Sequence, residues 1–239
     1  MLDPLDPLDP LGSLDPFGSL GREATGDCRT AVAACRQDSA EREEGTMSFL
    51  GMWCLVPMQA DAITRYAPDL LPAVEEEAAH PSSGDLLRWW REVGSTEESR
   101  HRFVEAAAPS ALDERICRVY EAWECGRDEA LPYLAVSCRN SYPAAAMAFA
   151  LGPERFAHLP GWIGDLVLTP EQVRRTLPAI ERAFTWSTGD RAEAERLLTA
   201  ALRDEGDRED IDALLDGVPP VWRAAAGAGR GLLGAHFVP

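Results

Sequence analysis

The chain has 239 residues, 46% hydrophobic and 26% charged, and its 40 acidic residues against 23 basic ones give a formal charge of −17. That length can bury a sizeable core without disulfides or metals, and the composition is that of an ordinary globular protein. All 23 basic residues are arginine, which excludes a lysine Schiff base, pyridoxal-phosphate chemistry and a phosphate-loop lysine.

Residues 1–20 repeat Leu-Asp-Pro at 2–4, 5–7, 8–10 and 14–16. Proline at this frequency blocks helix and ladder hydrogen bonds, so the segment is predicted to be extended and disordered. Residues 21–46 are polar, with at most a short helix near Thr30–Arg36. Glu43-Glu44-Gly45 precedes Met47 by a few residues. In a GC-rich gene that tripeptide is encoded by a purine run resembling a ribosome-binding site. Residues 1–46 are therefore expected to be an extension ahead of a natural start at Met47; the alternative is a genuine disordered tail. They hold four arginines against ten carboxylates, which leaves −11 on the remainder.

Residues 47–239 read as a single globular domain. Met52–Val56 is a short apolar run stopped by Pro57, a candidate buried strand. Gln59–Tyr66 and Asp69–Ala79 read as two short helices punctuated by prolines. Asp85–Val93 is a helix ended by Gly94, and Ser95 or Thr96 caps the next one. Leu112–Glu124 places Ile116, Val119, Tyr120 and Trp123 on one face. Leu131–Ser137 fits helix or strand. Pro143–Leu151 is an alanine-rich helix stopped by Gly152-Pro153.

Asp165–Leu168 is a short strand, and Thr169-Pro170-Glu171 reads as cap, first-turn proline and first-turn acid. The helix that follows aligns Val173, Leu177, Ile180 and Phe184, with Pro178 expected to kink it. Asp190 is the expected cap of the next helix, which turns Leu197, Leu198, Ala201 and Leu202 inward. Val218–Ala228 is a last helix and Gly231–Val238 a last strand. The fold class is α+β, mainly helical with a small sheet; the alternative is all-α.

The acidic balance disfavours a phosphate backbone or an anionic membrane and favours a basic protein partner. The six cysteines form no C-x-x-C pair, which excludes zinc-ribbon and thioredoxin readings. No signal peptide or membrane-spanning run is visible, so the chain reads as cytoplasmic, with reduced thiols and no cofactor.

Glu77-x-x-His80 and Glu98-x-x-His101 each put a carboxylate and an imidazole on one helical face, as di-metal carboxylate bundles do, with Glu121 or Glu124 as supporting ligands. The helix dipole explains the histidines equally well. Cys138 could be a thiol nucleophile with His158 or His236 as base, or a buried apolar residue. Gly227–Gly231 is a connecting turn rather than a phosphate loop, because it follows a helix. Asp204–Asp212, including Asp207 and Asp210, fails as a calcium loop and reads as a solvated acidic linker or a docking surface.

Arg88-Trp89-Trp90-Arg91 carries adjacent tryptophans about 100° apart on a helix. Only one can face the core fully, so the other is a candidate contact residue.

The order strand, Leu168-Thr169-Pro170-Glu171-Gln172-Val173, helix, acidic stretch, helix and glycine-flanked apolar strand resembles the YfbM-like bacterial family of unknown function. Gly51-Met52 at the opening of a first strand is similar too. Where that family carries Asp-Lys-x-Trp, this lysine-free chain has Glu121-Ala122-Trp123-Glu124. The resemblance implies a small α+β protein with no catalytic residues to carry over. The reading as a whole is a non-enzymatic, immunity- or inhibitor-like protein-binding module. The alternative is a metal-dependent enzyme on the Glu-x-x-His pairs or a thiol enzyme on Cys138.

Overall fold

Four apolar segments pair into one antiparallel sheet: β1 (Leu50–Met58), β2 (Leu134–Arg139), β3 (Leu166–Leu168) and β4 (Gly231–Phe237), in the order β2-β1-β4-β3. The computed structural model describes residues 49–203 and 206–238, so the expectations for residues 1–46 lie outside the described residues. All seven residues of β4 are buried, as in a central strand covered on both faces. The register sets Trp53 beside Val136 on one flank and His236 on the other. Trp53, Leu55, Val136, Cys138 and His236 therefore share one face, and Met52, Cys54, Val56, Met58 and Phe237 share the opposite one.

Helices cover both faces. Against the Phe237 face lie α1 (Ala60–Ala79) and α4 (Ile116–Gly126), the latter after a 3₁₀ turn at Asp113–Arg115. Tyr120 and Trp123 meet the Phe237 ring at centroid distances of 5.5 and 6.0 Å. Gly126 permits the close approach: a Cβ there would sit 2.2 Å from the Ala62 Cβ. On the Trp53 face lie α5 (Pro143–Phe156) and, after α6 (Pro170–Ala183), α7 (Thr188–Ala201) and α8 (Arg208–Asp216), the helix α9 (Val218–Gly227). The Trp222 indole of α9 donates to Val173 O of α6 at 3.2 Å. Pro143–Leu151 is buried throughout; its alanines let β1 and α7 come close. Two further helices, α2 (Pro81–Val93) and α3 (Glu97–Ala107), meet α5 in an aromatic cluster. Trp90 lies 4.1 Å from Phe103 and 5.7 Å from Phe156, centroid to centroid.

The fold is thus mainly helical α+β, and the all-helical alternative fails on the sheet. The two short helices expected over 59–79 are one helix of 20 residues with Pro68 and Pro72 inside it. Its buried stripe of Ala62, Ile63, Tyr66, Leu70, Ala73 and Val74 runs past both prolines, and that packing overrides local propensity. The cap of α7 is Ser187, whose hydroxyl accepts from Asp190 N–H, three residues earlier than expected. Leu134–Arg139 resolves as strand. Among the described residues no helix is long and apolar enough to cross a membrane.

Candidate functional site

Asp165 and His236 are the only carboxylate, imidazole or guanidinium side chains fully buried among the described residues, at 0% and 3% exposure. Asp165 precedes β3 and closes a tight turn: Trp162 N–H donates to Asp165 O at 2.9 Å, and Asp165 N–H returns to Trp162 O at 2.8 Å. Both central residues have positive φ, 42° at Ile163 and 91° at Gly164, the geometry of a primed hairpin turn. Glycine accepts this. A β-branched isoleucine does so at a cost of about 1–3 kcal/mol. Three anchors hold the turn: the Ile163 side chain is buried, the Trp53 indole donates to Gly164 O at 3.1 Å, and the Asp165 carboxylate is fixed from three sides.

Those sides are the Ser110 hydroxyl and Ala111 N–H, each 2.8 Å from Oδ2, and the His236 backbone N–H, 2.9 Å from Oδ1. The His236 ring spans two acceptors. Nε2 lies 3.0 Å from the Ala108 carbonyl and Nδ1 lies 3.1 Å from Asp165 Oδ1. The second contact has ion-pair distance without the alignment of a straight hydrogen bond. A carbonyl only accepts, so Nε2 carries a hydrogen; Nδ1 faces a carboxylate, so a proton belongs there as well. Burial opposes the imidazolium. The charge and contact of Asp165, the Ala108 carbonyl and the charge of Asp113 outweigh it, and His236 holds its proton above the usual histidine range. Asp113 itself is raised, because its own burial outweighs the attraction of His236. The pair clamps the Ala108–Asp113 loop and the Trp162–Asp165 turn onto β4. Sealed from solvent, it positions backbone.

The residues singled out from the sequence are scattered. Trp90 is fully buried, with its indole donating to Ser95 Oγ at 3.2 Å; it belongs to the core and is no contact residue. Trp89 is half-buried beneath the Arg102 guanidinium, 4.0 Å from the ring centroid. Arg88 is exposed and pairs with Asp85 at 2.7 Å. Arg91 is exposed on the same helix. The two Glu-x-x-His pairs do not assemble: no group of three potential metal ligands occurs among the described residues. Glu77 accepts from Ser83 Oγ at 3.3 Å, His80 caps α2 through Ser82 N–H, and His101 lies 3.7 Å from Glu105 with Glu98 exposed nearby. Cys138 lies 3.9 Å from Asp210 Oδ2, and β1 separates it from His236 on β4.

Asp207 and Asp210 do not lie in a linker. They form a reciprocal capping box that starts α8. Burial raises the Asp210 carboxyl above its ordinary range. From Thr188 to Asp216 the chain carries ten carboxylates and four arginines. Arg191 is gripped by Glu195, Asp212 and Asp216 at 3.3, 2.8 and 2.8 Å, and Arg208 joins Glu195 to Asp212. Asp190, Glu193, Asp207 and Glu209 remain on the exposed side. A neighbouring open cleft of ≈ 790 Å³ between α3 and α7 contains Arg100, Arg196 and Arg203. Each is held by a carboxylate, from Glu97, Glu193 and Glu105 respectively.

In the sequence His236 stands out only as a base for a thiol, and Asp165 does not stand out at all. The available signal is a lone ionisable residue inside an apolar run, as in Leu232–Val238. No family model, curated protein or solved structure matches this chain.

Proposed function

We propose that this protein is a non-enzymatic binding module, inhibitor-like in character, that engages a basic protein partner through the outer face of α7 and α8. The observation that carries this reading is the charge of that hairpin. Residues 188–216 hold −6 of the −11 that lies between Met47 and the end of the chain. The arginines there are spent on internal ion pairs, which leaves the excess carboxylates to the solvent. Such a surface steers a cationic partner and sets on-rate and salt sensitivity more than bulk affinity.

The test is co-purification from the native host, followed by a variant. The expected result is one basic protein at near-equal stoichiometry, released at raised ionic strength and weakened with Glu209→Gln. A partner held equally by that variant, or one indifferent to salt, would sink the proposal.

A further inference from the structure

The loop between α3 and the 3₁₀ turn, residues 108–112, hangs on the Asp165–His236 pair. Among the described residues three hydrogen bonds tie it to the rest of the fold. Ala108 O accepts from His236 Nε2 at 3.0 Å, and Ser110 Oγ and Ala111 N–H each donate to Asp165 Oδ2 at 2.8 Å. Its one buried side chain is Leu112. The imidazole that holds this loop has an oxygen at each nitrogen, Ala108 O at Nε2 and Asp165 Oδ1 at Nδ1. Only the doubly protonated ring offers a hydrogen to both. A neutral ring carries one, so in either tautomer a lone pair faces an oxygen 3.0 or 3.1 Å away. An ionised carboxylate is a stronger acceptor than a carbonyl and keeps the hydrogen. Nε2 is then bare against Ala108 O. Asp165 is locked by the donors on both its oxygens. Ala108 sits half-buried at the C-terminal cap of α3, and it is the group that can withdraw.

We propose that the His236 ring is a pH-sensitive latch: loss of one ring proton turns the Ala108 anchor repulsive, and the loop between α3 and α4 opens locally while the rest of the fold stays closed. The charged groups that face the ring are Asp165, from the turn before β3, and Asp113, from the 3₁₀ turn. Its cross-strand neighbour on β1, Trp53, carries no charge. Burial opposes the imidazolium, and the two carboxylates hold it above the ordinary 6.5. The latch is therefore shut at and below that pH and opens as pH rises through the raised value. The bistable element is the loop itself, which has one apolar anchor and three polar ones.

The experiment follows the full chain by NMR from about pH 6 to about pH 10. Ring ¹⁵N shifts report the protonation and tautomer of His236, and amide hydrogen exchange reports opening. Each exchange rate is divided by that of an unstructured chain at the same pH, which removes the base catalysis of exchange itself. As the ring turns neutral, with its hydrogen on Nδ1, protection of the Ala111 amide is expected to fall about tenfold or more, the worth of one charged hydrogen bond. The Val173 amide of α6, bonded to Thr169 O and remote from the clamp, is the control and keeps its protection. Asp113 is exposed, so Asp113→Asn leaves the core intact and removes one of the two facing charges. The ring's midpoint and the midpoint of lost Ala111 protection then move to lower pH together. Ala111 protection that ignores the ring's titration, midpoints that part in Asp113→Asn, a fall shared equally by Val173, or a ring that stays charged until the whole chain unfolds overturns the proposal.

Discussion

The Asp165–His236 pair and the α7–α8 ion network use the same chemistry, carboxylate against nitrogen cation, in opposite settings. The first is sealed under β4, with both partners nearly inaccessible. The second is spread over a helical hairpin. Its central Arg191 is 19% exposed, and its carboxylates are between 32% and 54% exposed. In the core a missing partner leaves an uncompensated charge, and in the hairpin water replaces it. The first arrangement therefore fixes geometry, and the second tunes the field that a partner meets.

The sharpest way to break this contrast is Asp165→Ala. It strands the imidazolium and frees the Ser110–Ala111 loop, and is expected to cost about 3–5 kcal/mol in urea unfolding. A loss below about 1 kcal/mol would put the pair on the same footing as a surface bridge. The next test is pH. His236 binds its proton more tightly in the folded chain than at its ordinary value of 6.5. Its stabilisation is complete below about pH 6.5 and is lost as pH rises through the raised folded value. Native stability should therefore decline with rising pH relative to His236→Asn; parallel curves for the two would contradict the assignment.

In the hairpin, Asp207→Ala removes the cap of α8 and should cost about 1 kcal/mol, read as a lower melting temperature. Smallest of all, a double-mutant cycle on Arg191 and Asp216 should give less than about 1 kcal/mol and shrink further at high salt.

Elements whose periodicity and punctuation agree are legible in the amino-acid sequence itself. Thr169-Pro170-Glu171 starts α6 as expected, with Thr169 and Gln172 forming its capping box. The alternation of buried and open residues in Leu134–Arg139 is that of a strand, but six residues are too few to decide without the partner that β1 supplies. The helix α8 escapes a reading by composition because its first turn is crowded with acids. Acids in a first turn favour a helix through the macrodipole, yet Asp204–Asp212 has the look of a solvated run. The prolines of α1 mislead in the other direction. The Asp165–His236 clamp joins residues 71 positions apart, and no local pattern carries such a pairing. The exposed carboxylates are visible as composition, whereas the Ile163–Gly164 turn has a geometry that only tertiary packing supplies.

The place of β4 has a consequence for synthesis. It is central in the sheet, yet it lies far along the chain from every strand it organises: Met52 pairs with Phe237, and β3 has no other neighbour among the described residues. A nascent chain that has emerged as far as α9 holds β1 with one edge bare and β3 with nothing to pair to. Both are apolar and open to the wrong partner. Closure of so distant a contact is slow, so the helices wait on a strand translated long after β1. The half-made protein is the form most in need of a chaperone.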